Sequence, residues 1–473
     1  MTAESPTARY REELRALLGP EGLLTDAADV APLLVDHRRL YQGRALAVAL
    51  PASVEQVAQI VRWCNLHQVS LVPQGGNTGY VGGATPDESG RQLLVALKRL
   101  NRIRAVDASN FSMTVEAGCV LADVQRAAAA AERYFPLSLG SEGSCQIGGN
   151  LATNAGGLNV LRYGMARDLV LGVEAVLPDG SLWQGLKSLR KDNSGYDLKS
   201  LLVGSEGTLG VITAASLKLW PRLRAWATAF CGLERCEDAI ALLGWLQAAG
   251  AGRLSSFELI PRAAIELTAR HIPGVSDPLG APYPWYVLCE LSSGADEPLE
   301  EWLQQALAQA AERALLADAA LATSGRVRAA FWHLREHIPE AQRLAGVSLK
   351  HDISVPVSDL PRFVAEASQW VQENVPEALL VCYGHAGDGN LHFNINCIDP
   401  GVSATFLARE PTIRRAIHDL VMRYHGSISA EHGIGRLKRE ELAHYAQPAQ
   451  LQAMRAIKRA LDPQGIMNPG KVL

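Results

Sequence analysis

LGSEGSCQIGGNLATNAGG, residues 139–157, has glycine at six of its nineteen positions, with Asn150, Thr153 and Asn154 among them. Glycine lets a backbone approach a pyrophosphate closely and turn its N–H groups towards it. Asparagine and threonine side chains add hydrogen bonds to phosphate and ribose. Two further strings share this composition, PQGGNTGYVGG at 73–83 and NSGYDLKSLLVGSEGTLGVIT at 193–213, and VEAGCVLADV at 115–124 does so weakly. None is a GxGxxG turn between a strand and a helix, and none is a GxxxxGK[ST] phosphate loop. Any one string reads equally well as an ordinary tight turn, so the glycine loops by themselves leave the ligand open.

Outward from these loops the pattern is mixed. A short amphipathic helix is expected at 7–18. Residues 45–76 read strand, helix, strand, with Ser53 and Gln56 forming a capping-box pattern ahead of apolar Val57, Ile60, Val61 and Cys64. Further strands are expected at 92–97, 112–117, 169–177 and 210–219, with a turn at Asp179-Gly180. The texture changes near Pro221-Arg222. Beyond it, Ala/Leu-rich helical stretches such as residues 301–322 alternate with short strands such as PWYVLCELSS and SLKHDISVP. Residues 376–398 read as two strands about a turn, and helices fill 411–425 and 436–461.

A second chemistry lies in that later half. YGHAGDGNLHFN (383–394) brackets a glycine turn with His385 and His392, and SAEHGIG (429–435) supplies Glu431 and His432. AGDGN forbids a helix between the two histidines. The sequence instead sets His385 at the end of one strand and His392 on the next, with Asn394 on the same face as His392. Two imidazoles and a carboxylate make an N2O ligand set that suits zinc or a neighbouring divalent metal, and three protein ligands leave positions for a substrate. His432 stands beside that set as a base. A lone histidine is more often a satisfied core residue; two about a tight turn, with a Glu-His pair following, favour the metal.

Composition bounds the rest. With 473 residues, 48% hydrophobic and 20% charged, the chain is that of a globular protein of two or three domains. Its 45 basic and 49 acidic side chains leave −4, no footprint of a nucleic-acid binder. The eight cysteines show no CxxC spacing and read as reduced, buried residues. The N-terminus resembles neither a secretory signal nor a transit peptide, and no stretch approaches a membrane span. A cytoplasmic location is the expectation.

The glycine strings, in this order, resemble the FAD-binding domain of the vanillyl-alcohol oxidase (PCMH-type) superfamily, in its glycolate oxidase/D-lactate dehydrogenase branch. The later half is similar to the substrate domain of the same flavoproteins, above all the D-2-hydroxyglutarate dehydrogenases. The resemblance implies an α+β fold: a PCMH-type FAD-binding domain over 1–222, an α+β substrate-binding cap with an antiparallel sheet over 223–425, and a helical segment, 426–473, returning to the flavin. It implies FAD contacts from Pro73, Gln74, Gly75, Gly76, Asn77, Thr78, Gly79 and Gly82; from Gly140, Gly143, Ser144, Gly148, Gly149, Asn150, Thr153, Asn154, Gly156 and Gly157; and from Gly207, Gly210, Val211, Ile212 and Asn468. Some relatives tether the flavin. No histidine occurs between His67 and His271, and Cys145 does not match the cysteinyl link, so a non-covalent FAD is expected.

In the family the residues matching His385, His392 and Glu431 bind zinc, the one matching His432 is the catalytic base, and the one matching Asn394 contacts substrate. Arg335 and Lys350 match the cations that hold substrate carboxylate. Pro339 replaces a family threonine, which removes a hydroxyl donor. The expected reaction is oxidation of a D-2-hydroxy acid, best matched by D-2-hydroxyglutarate, with D-lactate or another D-2-hydroxy acid as alternative. An electron-transfer flavoprotein or a quinone is the implied electron acceptor. A homodimer is an expectation too. A metallohydrolase and a non-catalytic flavin-binding subunit are rival classes; the flavin strings argue against the first, and the presence of both Glu431 and His432 against the second.

Overall fold

The structure, a computed structural model, describes residues 6–250 and 252–473. The chain forms two compact units, one of Met1–Gly157, Gly164–Arg222 and Glu431–Leu473, the other of Leu158–Tyr163 and Leu223–Ala430. The C-terminal segment read from residue 426 thus joins the first unit at Glu431, and Leu158–Tyr163, inside the flavin region by sequence, belongs to the second.

In the first unit Ala47–Ala49, Val54–His67 and Leu71–Gln74 form strand, helix and strand. Ser53 Oγ accepts the Gln56 N–H at 3.3 Å, while the Gln56 side chain reaches back to the Ala52 N–H, one residue short of the reciprocal box. Val57, Ile60, Val61 and Cys64 are buried in one cluster with Leu71, Leu93, Ile466 and Met467. Burying each such side chain stabilises the fold by roughly 1.5–3 kcal/mol. The Leu71 N–H bonds Ile466 O at 2.9 Å, so the returning C-terminal segment is part of this core.

Leu93–Ala96 pairs in parallel with both Ala47–Ala49 and Leu71–Gln74. A second sheet runs antiparallel in the order Ile103–Asp107, Ser112–Glu116, Val211–Lys218, Val170–Val176, Leu182–Gly185. Its last hairpin turns at Asp179-Gly180, where Gly180 has φ 79° and a Cβ would meet Arg62 Cγ at 2.4 Å.

The second unit holds an antiparallel sheet in the order Leu254–Pro261, Trp285–Ser293, Ala225–Leu233, Asp318–Leu321. The helix expected across 301–322 is Leu299–Glu312 only; Ala314 takes φ 56°, and Asp318–Leu321 pairs along Ala225–Leu233 instead. Here an open strand edge overrides the helical propensity of alanine. SLKHDISVP makes two short strands, Val347–Leu349 and Asp352–Ser354, both on Asn390–Cys397, whose other edge takes Leu379–Tyr383. The helix expected over 436–461 divides into Arg439–Tyr445 and Pro448–Leu461, because Pro448 starts a helix well and cannot continue one. Among the described residues no helix is long and apolar enough to cross a membrane.

Candidate active site

The glycine strings converge inside the first unit. Residues 73–79, Gly148, Gly149, Asn150, Thr153, Gly207, Gly210, Val211 and Ile212 line one cavity. Glycine is required where two loops cross. A Cβ on Gly76 would lie 2.3 Å from Ser144 O, and one on Gly75 3.3 Å from the Gly149 backbone. The wall is therefore peptide backbone, with N–H groups available to a phosphate. Gln74 Oε1 and Gln146 Oε1 are buried without a protein donor, as acceptors awaiting the hydroxyl or N–H donors of a bound nucleotide would be. These features fit FAD.

Not every predicted flavin residue reaches that wall. Gly140, Gly143 and Ser144 are exposed. Gly82 and Gly157 have φ of 68° and 110°, and a Cβ would strike the Tyr41 ring at 2.5 Å or Ser138 O at 2.0 Å. Their glycine serves the backbone of the loops. Gly156 is buried away from the cavity, and Asn154 accepts the Arg167 N–H. Asn468 braces the site from outside, donating to Gly83 O at 3.0 Å and Glu206 O at 2.8 Å.

Glu206, which sequence reasoning passed over within GSEGTLG, joins the cavity to the C-terminal segment. Its two carboxylate oxygens accept the Ile434 N–H at 2.8 Å and the Gly435 N–H at 2.7 Å. Burial raises its pKa, and those two N–H bonds, then Lys438, pull against the rise. The clamped turn carries His432, which stands on the cavity wall with the Tyr80 ring 4.7 Å from its own. Glu431 Oε1 lies 3.7 Å from His432 Nε2. Tyr80 also belongs to a quoted string without having been singled out.

The second unit gathers the other polar residues. Leu259 and Gly384 exchange backbone hydrogen bonds of 2.8 and 3.0 Å, so the antiparallel register sets Glu258 opposite His385. His385 Nδ1 and Glu258 Oε1 are 2.6 Å apart, and Arg335 donates Nε and Nη2 to Glu258 Oε2, each at 2.7 Å. Burial alone raises the Glu258 pKa; the charges of Arg335 and His385 and their hydrogen bonds outweigh it and hold the carboxyl at about 2. An ionised carboxylate only accepts, so His385 Nδ1 carries a proton and Nε2 is the nitrogen left to a metal.

His392 has its ring centroid 5.6 Å from that of His385. Asn394, two residues on, donates to Gln342 Oε1 at 3.1 Å. Lys350 is half-buried between the two short strands, and Pro339 occupies the first turn of Ile338–Ala345. Arg335, His385, His392 and Asn394 thus share one unit, while Glu431 and His432 open the segment that belongs to the other.

Residues 222–472 match the family described as FAD linked oxidases, C-terminal domain, and residues 45–185 match the FAD binding domain. The chain belongs to the FAD-linked oxidase family. It binds FAD and is an FAD-dependent dehydrogenase.

Among relatives of this flavoprotein, D-2-hydroxyglutarate dehydrogenase, mitochondrial, of Danio rerio is 38% identical, covering 99% of this chain and 86% of its own. The mitochondrial enzyme of the same name from Arabidopsis thaliana is 36% identical, over 97% and 80%. D-2-hydroxyglutarate dehydrogenase of Stutzerimonas stutzeri is 35% identical over 98% of each chain. In fold the protein is similar to p-cresol methylhydroxylase with substrate bound, at TM-score 0.77 and 16% identity, covering 99% of this chain and 97% of the other. Alkyldihydroxyacetonephosphate synthase gives 0.76 at 17% identity, over 98% and 85%.

These relatives overturn the cytoplasmic expectation. The plant and animal proteins are named as mitochondrial, whereas the bacterial ones carry no such label. Composition and the N-terminal pattern do not carry a location.

Proposed function

We propose that the protein oxidises D-2-hydroxyglutarate to 2-oxoglutarate at a non-covalently bound FAD, with a divalent metal, zinc by preference, held by His385, His392 and Glu431. Similarity over nearly the whole chain to proteins of that name in a plant, a fish and a bacterium carries the substrate reading. The metal is supported by the donor chemistry: two imidazoles, one with its outer nitrogen already committed to a carboxylate, and a glutamate beside a histidine. Non-covalent flavin is supported by Cys145, which is buried away from the cavity with its thiol pKa raised, chiefly by burial.

When bound, FAD supplies the hydride acceptor and the metal a Lewis acid. His432 takes the proton of the substrate hydroxyl on an imidazole nitrogen, as general base. Tyr80 packs beside that ring and limits its tilt. Arg335 and Lys350 hold the substrate carboxylates and Asn394 orients the substrate through its amide, fixing the C2 hydrogen towards the flavin. We assign reoxidation to an external acceptor of the electron-transfer flavoprotein or quinone class, on family resemblance alone.

A second substrate, D-lactate, is favoured by Pro339, which offers no hydroxyl to a distal carboxylate. Anaerobic bleaching of the flavin by D-2-hydroxyglutarate, D-lactate and their L-isomers, before and after chelation, separates the readings. Bleaching by D-2-hydroxyglutarate that is lost on chelation and restored by zinc supports the proposal; bleaching by D-lactate alone replaces the substrate. No bleaching by any of them rejects the hydroxy-acid assignment.

A further inference from the structure

Leu254–Pro261 is buried at every position, and Glu258 is fully enclosed, paired across the sheet with Leu288 and two residues from Ile260 on the same strand face. A buried ion pair is a poor source of stability, since desolvation of both charges offsets most of the attraction and well-packed apolar residues often serve as well. Core packing at this position therefore asks for a leucine, and the carboxylate needs another reason.

Its two oxygens supply one. Oε1 faces His385 Nδ1 at 2.6 Å, and Oε2 takes the Nε–Nη2 side of Arg335 at 2.7 Å. The three groups are 0%, 7% and 5% exposed, and the Tyr383 ring lies 4.7 Å from Arg335 Cζ. Three contacts therefore fix the guanidinium and the imidazole: a shared carboxylate, an aromatic face and the Leu259–Gly384 backbone bridge.

We propose that Glu258 is a positioning residue that sets two members of the active site at once: the Nδ1–H tautomer of His385, and the end of Arg335 turned to substrate. With Nε and Nη2 engaged on one side, Arg335 meets a substrate carboxylate through its Nη1–Nη2 end. With its proton held on Nδ1, His385 offers Nε2. This rests on the roles given above to His385 and Arg335.

Glu258→Gln separates the two clients, because an amide has one acceptor oxygen. Arg335 can face only an acceptor, so the glutamine oxygen turns to Arg335 and its NH2 donates to His385 Nδ1. The His385 proton then moves to Nε2. Two-bond nitrogen–proton spectra of the metal-free flavoprotein read this directly, with His385→Gln assigning the signal. We expect the Nδ1–H tautomer in wild type and in Arg335→Lys, which keeps the charge beside Glu258 but loses the fork, and the Nε2–H tautomer in Glu258→Gln. Zinc affinity, from competition with a chelator, is expected to fall about ten- to hundred-fold in Glu258→Gln and to stay unchanged in Arg335→Lys, whose KM rises instead.

Should Glu258→Gln not yield a folded flavoprotein, Glu258→Asp, which keeps the charge but shortens the reach, carries the same measurements with smaller losses expected. An Nε2–H wild type, or a folded variant with unaltered tautomer and zinc affinity, overturns the proposal. A tautomer switch in a protein that neither binds zinc nor oxidises a D-2-hydroxy acid leaves Glu258 in its positioning role and removes the functional reading instead.

Discussion

Replacing Glu206 by glutamine tests whether the clamp on the His432 turn is as tight as its geometry implies. Each carboxylate oxygen accepts one backbone N–H, from Ile434 at 2.8 Å and Gly435 at 2.7 Å, and both bonds carry charge. Glutamine keeps one acceptor and turns a donor towards the other N–H. The loss is one charge-assisted hydrogen bond, about 1.5–3 kcal/mol, offset in part because a neutral amide escapes the burial cost that raises the Glu206 pKa. A net loss of about 1–2 kcal/mol remains, which for a unit of this size lowers Tm by roughly 2–8 °C. The turnover effect is separate. His432 lies two residues before Ile434, so a loosened turn displaces the base while the cavity and its flavin persist. The assay is thermal unfolding followed by flavin fluorescence, beside steady-state kinetics. We expect a modest Tm loss, full flavin content and a kcat reduced more than KM is raised. Wild-type Tm together with wild-type kcat in Glu206→Gln would refute the clamp.

Four further outcomes follow from single residues. Gly76→Ala, whose Cβ would sit 2.3 Å from Ser144 O, is expected to purify without flavin, whereas Gly244→Ala, exposed on the helix Cys236–Gly250 with nothing within 4 Å of its Cβ, keeps it; flavin absorbance per protein decides. Burial pushes Asp388 up to about 6 from the ordinary 3.8, so the native state holds its proton longer and stability contributed there falls as pH rises from about 4 to 6. In metal-free protein Asp388→Asn should therefore match wild type below pH 4 and exceed it above pH 6, by up to about 3 kcal/mol in denaturant titrations. Burial, with Arg436 beside it, lowers Lys471 to about 8, so Lys471→Met should be the more stable protein at pH 7, the gain shrinking between about pH 8 and 10.5. His432→Ala should retain flavin and zinc yet lose about 10²–10⁴-fold in kcat, and rescue of flavin bleaching by added imidazole would identify proton removal as the missing step.

The parts of this fold that were legible in the sequence are those whose constraint acts on one residue or its near neighbours. Gly75, Gly76 and Gly149 are written into the strings because each loop must admit another backbone within van der Waals contact. His385 and His392 flank a turn through Gly387, Asp388 and Gly389, the last at φ 84°, and Ser53 announces the helix whose apolar face enters the core. Gly82 shows the limit of this: its φ of 68° and the Tyr41 ring 2.5 Å from a Cβ are a backbone need, which by itself names no ligand. What was not legible depends on partners set by topology. Asp318–Leu321 has the composition of a helix and becomes a strand because Ala225–Leu233 offers it an unpaired edge. Glu206 finds its donors 228 and 229 residues away, and Glu258 its partners 77 and 127 away, so no local window contains the reason for either.

Yet both carboxylates left a trace. Each is the one charged residue of its stretch, GSEGTLG and SSFELIP, and buried there an ionised group cannot stay unless opposite charge or several N–H groups meet it. A lone acid in an otherwise buried strand is thus a prediction of distant donors. For Glu258 those donors are two of the residues that the later half of the sequence had already marked for chemistry. The carboxylate with no local explanation is the one that ties them together.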